Sequence, residues 1–88
     1  MNKNRVFSIT GEYVSDHIDN KLSMLRINSN GNYFTFDVSR LNLVKNDGMH
    51  TTDGTHIEYG DYVTVYGNVD SVADGVVLSP EIILKLLL

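Results

Sequence analysis

Between Tyr62 and Val69 the chain changes character at almost every residue: Val63, Val65 and Val69 are apolar, while Tyr62, Thr64, Tyr66 and Asn68 carry polar groups. A period of two marks a strand with one face in a core and the other free. Gly60-Asp61 precedes it as a turn pair, and Gly67 falls on the inward side. There a missing side chain lets another strand cross closely or lets the sheet bend sharply.

The same alternation recurs upstream. Arg5 to Val14 predicts a first strand, with Val6, Phe7 and Ile9 apolar and Gly11 interrupting it. A glycine inside a long strand allows the bend by which one strand serves two sheets. Ser15 to Asn20 reads as a polar turn. A second strand spans about Lys21 to Asn28, with Leu25 and Ile27 on one face and Leu22, Met24, Arg26 and Asn28 on the other. Asn30-Gly31 then suits a type I′ hairpin, whose two central residues need positive φ. The third strand, Tyr33 to Ser39, turns Phe34, Phe36 and Val38 inward and Tyr33, Thr35 and Asp37 outward. A slip of one residue would expose both phenylalanines, which pins the register.

Beyond it the pattern weakens. Leu41, Leu43 and Val44 fit a short strand end or a helical turn that Asn46-Asp47-Gly48 stops, and His50 to His56 has no apolar period, which predicts an exposed loop. Asp70 to Gly75 reads as an acidic turn reversing at Asp74-Gly75. A last strand from about Val76 to Leu84 would align Val76, Leu78, Ile82 and Leu84 on one side, with Pro80 at an edge or a bulge. A competing reading of the end takes Ser79-Pro80-Glu81 as the opening of a short helix to Leu88.

Eighty-eight residues make one domain, residues 1–88, which buries only about 60 to 65% of its unfolded surface. There is no cysteine, so neither a disulfide framework nor a thiolate zinc site is available. The first residues are polar rather than a signal segment, and no stretch approaches the roughly 18 apolar residues of a membrane span. A cytoplasmic location is therefore expected. The net charge of minus 4 divides unevenly. Residues 1–45 set Lys3, Arg5, Lys21, Arg26, Arg40 and Lys45 against four carboxylates, while residues 46–88 set Lys85 against seven. Any anion-binding surface belongs to the first half.

Catalytic signatures are missing from the sequence. No serine stands in a Gly-x-Ser-x-Gly elbow, and neither a Walker loop nor a dinucleotide glycine fingerprint occurs. Asp47, His50, Asp53, His56 and Glu58 lie close together but match no EF-hand or zinc spacing. No enzyme activity, cofactor or metal is expected. His17 reads as a turn residue. A binding surface is better supported: across the Asn30-Gly31 hairpin, Tyr33 comes beside Asn28 or Arg26, with Met24 and Thr35 further along. A tyrosine beside an arginine can stack an unpaired base and reach its phosphate.

The run Gly-Asp-x-Val-x-Val-x-Gly-x-Val from Gly60 to Val69 resembles the fourth strand of an OB-fold, the five-stranded Greek-key barrel that binds oligonucleotides and oligosaccharides. The likeness extends over nearly the whole chain. It implies an all-β OB-like barrel, with at most a short helical turn where many relatives carry a helix between the third and fourth strands. A small SH3-like barrel shares much of the pattern. The resemblance also implies single-stranded nucleic-acid binding, more often of DNA, by Tyr13, Lys21, Met24, Arg26 and Tyr33, with Tyr62 and Tyr66 as second choices and Lys3 or Arg5 as further phosphate contacts.

Another functional class fits the charge: a small acidic protein-binding module, subunit or inhibitor, docking through its C-terminal half and imitating a nucleic acid toward a basic partner. Finally, Ile82 to Leu88 holds six aliphatics in seven residues. One small barrel cannot bury them all, so homodimerisation through the C-terminal edge is expected.

Overall fold

The computed structural model of the chain describes residues 6–73 and 77–87. In chain order its strands are β1 (Val6–Ile18), β2 (Ser23–Ser29), β3 (Asn32–Asp37), the short β4 (Val44–Lys45) and β5 (Gly48–Met49), then β6 (Tyr62–Ala73) and β7 (Val77–Lys85). Five of them close into a mixed barrel in the order β1-β2-β3-β7-β6, consistent with an OB-like architecture, and β4 and β5 form a separate small hairpin. One 3-10 turn, Ser39–Leu41, follows β3.

The long first strand makes the closure possible. Its residues Val6 to Glu12 pair with β6, and Glu12 to Ile18 pair with β2, so β1 passes from one wall of the barrel to the other near Glu12. Gly11 sits at this crossing. A Cβ built there would lie 2.6 Å from the Asn28 carbonyl oxygen and 3.2 Å from the Ser29 Cα, so only glycine lets the β2 backbone come this close. Gly67 plays the corresponding part on β6. The Phe7 ring lies over it, and a Cβ would meet that ring at 2.7 Å and the Pro80 Cα at 3.0 Å. Phe7 in turn stacks on Phe36 with ring centroids 6.0 Å apart.

The Asn30-Gly31 hairpin forms as the sequence predicts: both residues have positive φ, and the Asn28 side chain accepts from the Gly31 N–H at 2.9 Å. Its register pairs Asn28 with Tyr33 and Arg26 with Thr35. Leu25, Ile27, Phe36, Val38, Val63, Val65 and Ile83 point inward and are fully buried.

Four expectations are corrected. The first strand does not stop at Val14 in a polar turn; it pairs on to Ile18, and the turn is Asp19 to Leu22, closed by the Asp19 N–H donating to the Leu22 carbonyl. The segment His50 to His56 is exposed only at residues 52–55; His50 and Thr51 are buried, as are residues on either side of it. Leu43, Met49 and Ile57 on those sides, together with His50, Thr51 and Tyr13, close one end of the barrel. The acidic turn starts later than expected, since β6 runs on through Asp70 to Ala73, and the Asp74-Gly75 reversal lies outside the described residues, as does Val76.

The C-terminal segment is the expected strand rather than the competing helix, and the last correction concerns which way its residues face. Tyr66 pairs with Ile82 but Gly67 pairs with Pro80, so Glu81 is an extra residue and Pro80 stands at a bulge, where its missing N–H breaks no ladder bond. The extra residue reverses the alternation. Ile83 takes the buried position, while Ile82 and Leu84, expected to share a face with Leu78, turn to solvent.

The seam between β3 and β7 is slender, a parallel pairing of Phe36 with Leu78. Past it, Thr52 serves the open edge of β7. Its N–H and hydroxyl both donate to the Ile83 carbonyl at 3.0 Å, and its hydroxyl accepts from the Ile83 N–H at 3.1 Å.

Candidate nucleic-acid interface

The outer wall of β1, β2 and β3 gathers three of the predicted site residues. Arg26 projects outward because Leu25 and Ile27 occupy the core positions on either side of it. Tyr33 lies two pairs further toward the hairpin tip, on the same face, and the Arg26 guanidinium carbon stands 4.8 Å from the centre of its ring. This cation–π contact fixes the planar guanidinium over one face of the tyrosine. The ring remains 57% exposed. Met24 follows on the same face, opposite His17 of β1, and Ser15 lies opposite Arg26. Ser15, Asp16, His17, Met24, Arg26 and Thr35 line a shallow hollow of about 180 Å³, in which Asp16, engaged by the Tyr13 hydroxyl, is the one carboxylate.

A bulge creates part of this wall. Tyr13 pairs with Ile27 and Ser15 with Arg26, so Val14 is the extra residue, and Ser15 and His17 shift to the outer face. No sequence alternation announces it. Arg40, another residue the sequence reading left out of the site, is exposed on the 3-10 turn. Ser39 of that turn accepts from the Ser23 N–H at 2.9 Å, and Ser23 follows closely on Lys21, so both cations flank the start of β2. Among the described residues Lys21, Arg26 and Arg40 make no ion pair with a carboxylate. The acidic neighbours are engaged locally. Asp37 accepts from the Ser39 N–H and hydroxyl, and Asp19 accepts from the N–H groups of Lys21 and Leu22, which hold its carboxyl below the usual range.

The other predicted residues are elsewhere. Tyr13 is only 2% exposed, so its ring cannot stack a base. It packs edge-on against Tyr59 with centroids 5.0 Å apart, and its hydroxyl donates to Asp16. Burial first, and the Asp16 carboxylate second, push its phenol far above its ordinary pKa. Tyr62 and Tyr66 are exposed on β6, but on the wall formed with β7 rather than beside Arg26. Tyr62 borders a second hollow of about 500 Å³, with Thr10, Glu12 and Asn28 at the hairpin tip. Lys3 and Arg5 lie outside the described residues.

A third cleft, about 290 Å³, opens at the barrel end between Tyr13, Asp16, Asp47, His56 and Glu58. His50 lies nearby, with Nε2 3.3 Å from Asp47 and its ring 5.3 Å from that of His56. Its three carboxylates make it a poor seat for a phosphate. Among the described residues no group of three or more histidines and carboxylates has metal-binding geometry. No helix among them is long and apolar enough to cross a membrane.

Compared with known proteins, the chain matches no family model, no curated protein and no solved structure.

Proposed function

We propose that the outer wall of β2 and β3 binds single-stranded nucleic acid. The observation that carries the reading is the Arg26–Tyr33 pair: an exposed tyrosine with a guanidinium carbon 4.8 Å from the centre of its ring. An unstacked base lies on the exposed Tyr33 ring or on the guanidinium, contributing about 1 to 3 kcal/mol per base. Arg26, and beyond it Lys21 and Arg40, take the phosphates that lead from that base toward the start of β2. A double helix is the wrong partner, because its bases are not available to stack on a wall this flat.

Three phosphate contacts imply a log–log salt dependence with a slope of about −2 for a single strand. The overall charge of minus 4 keeps affinity modest, since the phosphate term is small. The test is fluorescence anisotropy of labelled DNA and RNA oligonucleotides across a range of salt. Binding with that slope, reduced several-fold to a hundredfold by Tyr33→Ala and similarly by Arg26→Ala, supports the reading. Absence of binding at low salt refutes it and leaves the acidic protein-binding module as the better account.

A further inference from the structure

The wall opposite the proposed nucleic-acid surface exposes an apolar strip along β6 and β7. Register places its outward side chains in three rows: Ser8, Tyr66 and Ile82; Thr10, Thr64 and Leu84; Glu12, Tyr62 and, past the end of β7, Leu86, whose N–H donates to the Tyr62 carbonyl at 2.8 Å. Read across the strands, these rows form a polar column on β1, a tyrosine column on β6 and an aliphatic column on β7. Thr64 bonds to Thr10 at 2.8 Å and is nearly covered, leaving the two tyrosines as ridges on either side of a low centre. Ile82 is 46% exposed, Leu84 36%, Tyr66 39%, and Val6 at the corner 75%.

We infer that this face pairs with the same face of a second copy of the chain. With apolar and aromatic side chains of roughly 150 to 250 Å² each, the exposed fractions amount to about 500 to 600 Å² of patch per copy, at the upper limit of what monomers leave open. Adding the polar rim of Ser8, Glu12 and Glu81 brings the buried area toward the roughly 800 Å² per partner of a stable interface. The columns also complement each other. A two-fold axis parallel to the strands and running between β6 and β7 lays the tyrosine column of each copy over the aliphatic column of the other, the self-complementary arrangement that a closed dimer requires. Central aromatics inside a polar rim are the usual anatomy of such contacts.

Charge separates this partner from others. Among the described residues the face offers no free cation: Lys85 of β7 is paired with Asp61 at 3.6 Å, and Glu12 and Glu81 mark the rim. That disfavours a nucleic acid or an anionic membrane at this site. Two copies of net charge minus 4 repel at a distance, so association strengthens as salt rises, the opposite trend to phosphate binding. The free outer wall of β2 and β3 stays accessible in the dimer.

Sedimentation equilibrium of the full chain, from micromolar to near-millimolar concentration at low and moderate salt, tests this. The expected result is a reversible monomer–dimer equilibrium that tightens with salt. Ile82→Lys and Leu86→Lys, both at exposed positions, each weaken it tenfold or more while leaving the thermal unfolding curve in place, and Tyr33→Ala leaves it unchanged. A monomer at every concentration overturns the inference. So does a dimer indifferent to both lysine variants, or an assembly that grows past two.

Discussion

Replacing Gly11 by alanine probes the crossing on which the barrel depends. The added methyl would lie 2.6 Å from the Asn28 carbonyl oxygen and 2.9 Å from its carbon, both backbone atoms of a paired strand. Neither can swing away as a side-chain end can. To restore ordinary contact, β1 and β2 must separate by most of an ångström where Glu12 pairs with Asn28 and Tyr13 with Ile27. Loosening about two ladder bonds at roughly 1 kcal/mol each, with the packing strain of an overfilled site, gives a loss of about 2 to 4 kcal/mol. For a domain of this size that lowers Tm by about 10 to 25 °C. Gly67→Ala is the internal comparison. Its closest contact is the edge of the Phe7 ring, which can rotate, so its cost is smaller, and pairing it with Phe7→Leu recovers part of the loss. Thermal and urea unfolding of Gly11→Ala, Gly67→Ala, Phe7→Leu and the Gly67→Ala/Phe7→Leu double variant measure these terms. A Gly11→Ala protein as stable as the parent, or one less affected than Gly67→Ala, would refute the claim that β1 is held against β2 by backbone proximity.

Two further outcomes follow from local bonding. Thr52→Val keeps the shape of the side chain but leaves the Ile83 N–H without its hydroxyl acceptor; a loss of about 1 to 2 kcal/mol is expected, read by urea unfolding, with faster amide exchange at Ile83. Acid sensitivity has a defined direction. The Lys21 and Leu22 amides hold the Asp19 carboxyl below its ordinary value, the Thr51 and Thr55 hydroxyls do so for Asp53, and the Glu58 amide followed by Lys85 for Asp61. Their stabilising contributions are complete above the unfolded carboxylate value of about 3.9 and are lost as pH falls through the lower folded values. Tm is therefore expected to be flat from neutral pH to about pH 5 and to fall below about pH 4, with the acid-side loss blunted in Asp19→Asn.

Where alternation is regular, the sequence was sufficient. The inward Leu25 and Ile27 of β2, Phe36 of β3, and Val63 and Val65 of β6, the positive φ values at Asn30 and Gly31, and the neighbouring of Arg26 with Tyr33 all follow from a period of two and one tight turn. Bulges are where that reading breaks. Val14 and Glu81 each add a residue to one strand, which moves Ser15 and His17 onto the outer wall and turns Ile82 and Leu84 away from the core. Neither residue carries a distinctive side chain, and only Pro80 hints at the second bulge. Tyr13 was misplaced for a different reason. Counting in twos from Phe7 and Ile9 puts it inward, as observed; the family resemblance, not the alternation, had set it on the ligand face. The segment from Leu43 to Ile57 was opaque because its buried residues reach the barrel end through irregular backbone with no period to detect. Thr51 and His50 are buried there by satisfied hydrogen bonds rather than by apolarity.

Amide-resolved NMR of the isotopically labelled protein, titrated with a short single-stranded oligonucleotide at low salt, tests the central claim most directly. The proposed surface requires the shifts to cluster at Met24, Arg26, Tyr33 and Thr35, extending to Lys21 and Arg40, while the signals of Tyr66, Ile82 and Leu84 stay put. Shifts confined to the β6–β7 wall or to the acidic cleft, or none at all, would contradict it.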